Sequence, residues 1–153
     1  MKFRGKETFT LVEIMIVVAV ILLLAGIAIP NLLRARANAQ EGVAMAAIRC
    51  LVSSQTAYRA THAQYANLSE LNSEYPPYID AVLASGNKQG YTFGISGISG
   101  SQFYITAAPQ SSSQAHTFYS DEDGIICRSN AMNATVPNAH TGAGCPSTFA
   151  EVE

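Results

Sequence analysis

From Phe9 to Leu33 nearly every position is apolar, and one charge, Glu13, stands near the front of the run. Residues 14–33 are uncharged, and at ~1.5 Å per residue a helix of that length matches the ~30 Å hydrocarbon core of a bilayer. Residues 31–62 keep the composition of a helix, rich in Ala, Leu, Arg, Gln and Glu and free of proline. There the pattern becomes one-sided. Ile48, Leu51, Gln55 and Tyr58 form an i, i+3, i+7, i+10 stripe flanked by Met45 and Val52, while Arg49, Ser53, Ser54 and Arg59 fall largely off it. The pattern predicts one helix from about Thr10 to Thr61. A helix apolar all round must be surrounded by lipid or protein, whereas an amphipathic one needs a single partner surface. The first half is therefore expected to protrude from a globular head and the second to pack into it. Pro30 lacks an N–H and crowds the preceding turn, so a kink is expected at Gly26–Pro30, with Gly42 a further weak point.

Beyond His62 the period shortens. Leu68 and Leu71, then residues 77–83, read as short helical turns punctuated by Pro76-Pro77. Tyr91, Phe93 and Ile95 alternate as in a half-buried strand. Gln102 to Ala108 reads as a second strand ended by Pro109, after a turn at 97–101, and Gln110 to Ala115 as a polar loop. Thr117–Ser120 and Gly124–Arg128, joined by Asp121-Glu-Asp-Gly, read as another hairpin. Residues 129–153 show no period and are expected to be irregular. The fold class is α+β, a long N-terminal helix packed on an antiparallel meander of about four strands.

The stretch Phe9-Thr-Leu-Val-Glu13, its apolar continuation and Pro30 near the end resemble the N-terminal segment of type IV pilins and of the related type II secretion pseudopilins. In that family the mature chain begins with such a Phe, so the resemblance implies a leader at 1–8, a transmembrane or filament-core segment at 9–33, and a pilin head at 34–153 that includes the second half of the helix. The leader normally ends in Gly, and here Thr8 holds that place. A cut after Gly5 would put Thr10 in the fifth mature position, so the cut is placed between Thr8 and Phe9. The resemblance further implies a prepilin peptidase that cleaves there and methylates the amine of Phe9. It implies an inner-membrane assembly platform with its ATPase, and a helical homopolymer in which Glu13 attracts the N-terminal amine of the adjoining subunit. The alternative for Glu13 is a carboxylate solvated among lipid headgroups. The chain is then a single-pass inner-membrane precursor and later part of an extracellular or periplasmic filament. The expected function is a structural subunit of a type IV pilus-like filament, with a type II secretion pseudopilin as the alternative.

The same family often staples its C-terminal loop, which implies a disulfide between Cys127 and Cys145. A metal site using Cys127, His140 and Cys145 is the alternative, although that spacing matches no common zinc pattern. Cys50, near the apolar stripe, reads as a small buried hydrophobe, with a bridge to a tail cysteine or another subunit as the other reading. Asp121, Glu122 and Asp123 lack the alternating oxygen ligands of a calcium loop and read as a solvated turn.

Composition narrows the rest. Charged residues make up 13% of the chain, and the net charge is −2. Lys2, Arg4 and Lys6 against Glu7 give the leader +2 and leave −4 for residues 9–153. An acidic chain with no basic patch beyond Arg34 and Arg36 argues against a nucleic-acid binder. The leader's cations favour a cytoplasmic N-terminus. His62, His116 and His140 sit in no nucleophile motif and there is no phosphate-binding glycine loop, so neither an enzyme nor a cofactor is expected. Two other classes fit parts of the pattern. One is an exported binding domain behind an ordinary signal peptide cut near Ala37 or Ala39; the other is a membrane-anchored enzyme or sensor.

Overall fold

A computed structural model describes residues 9–110, 115–140 and 144–152. Helix α1 runs Leu11–His62, followed by α2, Leu68–Ser73, and α3, Ala81–Ala84. Six strands follow: β1 Asn87–Lys88, β2 Tyr91–Ser96, β3 Tyr104–Pro109, β4 His116–Asp121, β5 Cys127–Met132 and β6 Phe149–Glu151. They form one antiparallel sheet in chain order, a meander in which every strand pairs with its sequence neighbour. The chain divides into two compact units between Arg36 and Ala37, and each is described by itself.

In the first unit α1 is unbroken through Pro30. The missing N–H of Pro30 leaves the carbonyl of Gly26 without its helical donor, a local weakness the flanking turns tolerate. Seventeen large apolar side chains between Phe9 and Leu33 are exposed. At ~1.5–3 kcal/mol for fully burying each, leaving them in water costs on the order of 20 kcal/mol. That exceeds the roughly 5–15 kcal/mol stability of a whole domain. This surface must be covered by lipid or protein.

In the second unit, residues 37–62 of α1 bury the expected stripe. Ala44, Ala47, Ile48, Leu51 and Tyr58 share a core with Tyr91, Phe93, Ile105, Ala107 and Phe118 of the sheet and with Phe103, just before β3. Gln55 belongs to the stripe for a polar reason. Its amide nitrogen donates to the carbonyl of Ala66, and its Oε1 accepts from Ala66 N at 2.9 Å, so the side chain pairs with backbone as a strand would. Ser54, expected off the stripe, is buried because its Oγ donates to Tyr78 O at 3.0 Å. Cys50, expected to be buried, is exposed and free. It lies about 200° around the helix from Ile48, outside the buried arc. At the helix end Ala63 takes a left-handed conformation (φ 57°) and donates to Arg59 O at 2.9 Å, a position usually filled by Gly or Asn.

The sheet has six strands where about four were expected. β1 and β6 have two and three residues, too few to show a period in sequence, and exist through backbone pairing with β2 and β5. The expected strand at 124–128 begins only at Cys127. Asp121 O accepts from Gly124 N at 3.0 Å, closing a turn in which Gly124 has φ 76°, so Ile125 and Ile126 leave that turn before pairing begins. Residues 129–132 and 149–151, expected to be irregular, are strand; of the expected loop at 110–115, residues 111–114 lie outside the described residues. β3 is buried on both faces. Ile105 and Ala107 meet the helix side, while Tyr104 packs with Tyr119, Cys127 and Phe149 in a second cluster on the opposite face.

Candidate assembly site

Helix α1 starts on a reciprocal pair of bonds. Glu13 N donates to Thr10 Oγ1 at 3.2 Å, and Thr10 N donates to Glu13 Oε2 at 3.5 Å. Two of the free N–H groups at the helix start are thus satisfied, in the Thr-x-x-Glu arrangement of a capping box. The box was readable in the sequence, and it assigns Glu13 a local task beside any intermolecular one. Phe9, one residue before Thr10, is exposed, and Thr8 lies outside the described residues. Gly26 has nothing within 4 Å of where a Cβ would stand, so its side of the helix is open.

The second unit holds a polar anchor with no signal in sequence. Glu41, on α1, is buried, and its Oε1 accepts from His116 N at 2.8 Å and contacts His116 Nδ1 at 2.8 Å. The carbonyl of His116 accepts from Tyr91 Oη at 2.8 Å. Burial pushes the Tyr91 phenol well above its usual range, and the Glu41 charge adds to the shift. Helix and sheet are thereby tied between residues 75 positions apart, a separation that no periodicity reveals.

Cys127 and Cys145 are joined by a disulfide with Cα atoms 5.5 Å apart. Both sulfurs are therefore committed, and His140 Nε2 contacts Glu122 Oε2 at 2.8 Å. Burial alone would raise the Glu122 carboxyl. Its own backbone N–H and the hydrogen bond and charge of His140 more than offset that, and hold it below its usual range.

The neighbouring carboxyl behaves in the opposite way. Asp121, expected in a solvated turn, is buried, and its Oδ2 has no hydrogen-bond partner among the described residues. Burial raises its pKa, and the charges of Asp123 and Glu122 add to the rise, while the Asp123 N–H and His140 pull it part of the way back. The folded form thus holds this proton to higher pH than the unfolded chain. Stability contributed here is lost as pH rises from the ordinary carboxylate range through the folded pKa. Asp121→Asn should therefore raise the unfolding free energy at neutral pH by about 1 kcal/mol and flatten its pH dependence across that window. Denaturant unfolding at a series of pH values measures both.

An apolar-first helix, a continuous antiparallel meander and a disulfide-stapled tail together define a pilin-like α+β protein. No protein-family model matches the chain. It is 33% identical over 111 residues to the type IV wide pilus major component PilA4 of Thermus thermophilus, covering 69% of this chain and 84% of that protein. It is also 34% identical over 83 residues to the type IV major pilin protein PilA of Myxococcus xanthus, covering 54% of this chain and 34% of that one. The chain belongs to the type IV pilin family.

Proposed function

We propose that this chain is a prepilin, the precursor of a structural subunit polymerised into a type IV pilus. The observation that carries this reading is the bare apolar surface of residues 9–33 behind a single carboxylate. That segment has to be covered at every stage of the protein's life. Lipid covers it in the precursor, and the equivalent helices of other copies cover it in the filament. Transfer from one to the other exchanges one apolar surrounding for another, so the hydrophobic cost is never incurred in water. Both relatives named above are major pilus components, which supports a pilus over a secretion pseudopilus.

On this reading residues 1–8 are the leader, 9–33 the membrane and filament-core segment, and 34–153 the head. A prepilin peptidase cuts between Thr8 and Phe9 and methylates the new amine, after which a membrane platform and its ATPase add the subunit to the filament base. Mass spectrometry of isolated filaments should find a subunit beginning at Phe9 with a methylated amine. A subunit beginning near Gln40, or one retaining Met1, overturns the proposal. Thr8→Gly should speed cleavage or leave it unchanged in a pulse-chase experiment, and a marked slowing would show that the cut lies elsewhere.

A further inference from the structure

The apolar stretch of α1 ends on Arg34 and Arg36, both exposed and in no ion pair among the described residues. Arg34 follows Glu13 by 21 positions, about 32 Å along a helix at ~1.5 Å per residue. That is close to the ~30 Å thickness of the hydrocarbon core. A bilayer that holds Glu13 at one headgroup layer therefore holds Arg34 at the other, with Arg36 about 3 Å further out. Being two residues apart, the guanidiniums point about 200° apart around the helix axis. A docked protein would meet only one side of the helix, whereas a ring of lipids meets both. The next carboxylate along the chain, Glu41, is already engaged by His116.

We infer that Arg34 and Arg36 grip phosphates of the outer-leaflet lipids from opposite sides of the helix and so fix the depth at which the unassembled chain rests. The inference rests on the reading that this helix spans a membrane before assembly. Arginine suits the task because its planar fork meets two phosphate oxygens at once. The leader's Lys2, Arg4 and Lys6 lie beyond the other end, so cations bracket the apolar run.

The test uses the full chain, isotope-labelled at arginine Cζ and reconstituted in phosphatidylcholine vesicles containing phosphatidylglycerol. Solid-state NMR dephasing of Cζ by lipid phosphorus is compared between the wild type and Arg34→Gln/Arg36→Gln. Arg4, Arg49, Arg59 and Arg128 are common to both proteins, so the expected result is loss, in the double variant, of the part of the phosphorus-dephased signal that Arg34 and Arg36 supply. Equal dephasing in the two proteins overturns the inference, as does contact of these Cζ atoms with carboxylate carbons of a second copy in place of phosphorus. Polarised infrared spectra of the same samples separate the two readings. A helix lying flat in both proteins sinks the membrane-spanning reading itself, whereas a spanning helix with equal dephasing sinks only the role of the arginines.

Discussion

Cells carrying Glu13→Ala should hold the protein in the membrane at near wild-type level and yet make no filaments. On the proposed reading insertion depends on the apolar residues that follow, and removing a charge from the edge of the bilayer would not weaken it. Assembly is different. An ammonium and a carboxylate ~4 Å apart attract by about 4 kcal/mol at an effective dielectric constant of 20, enough to set the axial register of an incoming subunit by orders of magnitude in occupancy. The capping box makes alanine an ambiguous test, because Glu13→Ala also removes the acceptor for Thr10 N. Glu13→Gln resolves this. Glutamine serves in a capping box as glutamate does, so the helix start is kept while the charge is lost. The expected result is that Gln also fails to assemble. Wild-type filament numbers by electron microscopy for Glu13→Gln would leave Glu13 as a helix cap and nothing more.

Breaking the tail disulfide should have the largest effect on the stability of the head. Cys145→Ala is the better variant, because Cys127 is itself packed against Tyr104, Tyr119 and Phe149 and its removal would also open a cavity. Releasing a loop of this length costs ~3 kcal/mol on the chain-entropy estimate, or a fall in the thermal midpoint of about 10 °C or more. The loss should be local at first. Among the described residues β6 pairs only with β5, and Val152 N donates to Ile126 O at 2.9 Å, so amide exchange at residues 149–152 should accelerate well before the rest of the sheet. Thermal scans and hydrogen exchange on the two proteins measure these effects, and unchanged protection in β6 would show that strand pairing alone holds the tail. Leader cleavage should be unaffected, since its residues lie at the other end of the chain.

What the sequence determined by itself was whatever repeats along a single element. The expected helix, Thr10 to Thr61, differs from α1 by one residue at each end, because the apolar run and the one-sided stripe that follows it both keep a helical pattern across Gly26, Pro30 and Gly42. The split between an all-round apolar run and a one-sided stripe was equally legible, as was the strand at 91–96, where Tyr91, Phe93 and Ile95 alternate; the strand expected at 117–120 extends one residue further at each end, to 116–121. Tertiary structure decided what depends on partners distant in the chain. Strands as short as β1 and β6 carry no period and form only when a neighbouring strand supplies hydrogen bonds. Gln55 and Ser54 look like ordinary polar residues until Ala66 and Tyr78 arrive beside them. Asp121 looks like part of a solvated acidic turn, and only the folded sheet buries its carboxyl. Glu41 and His116 meet across 75 positions. Local sequence fixes the backbone's preferred dihedrals and the phase of a buried face. Which polar groups that face encloses, and what satisfies them, is settled only when separate elements pack and water is excluded between them.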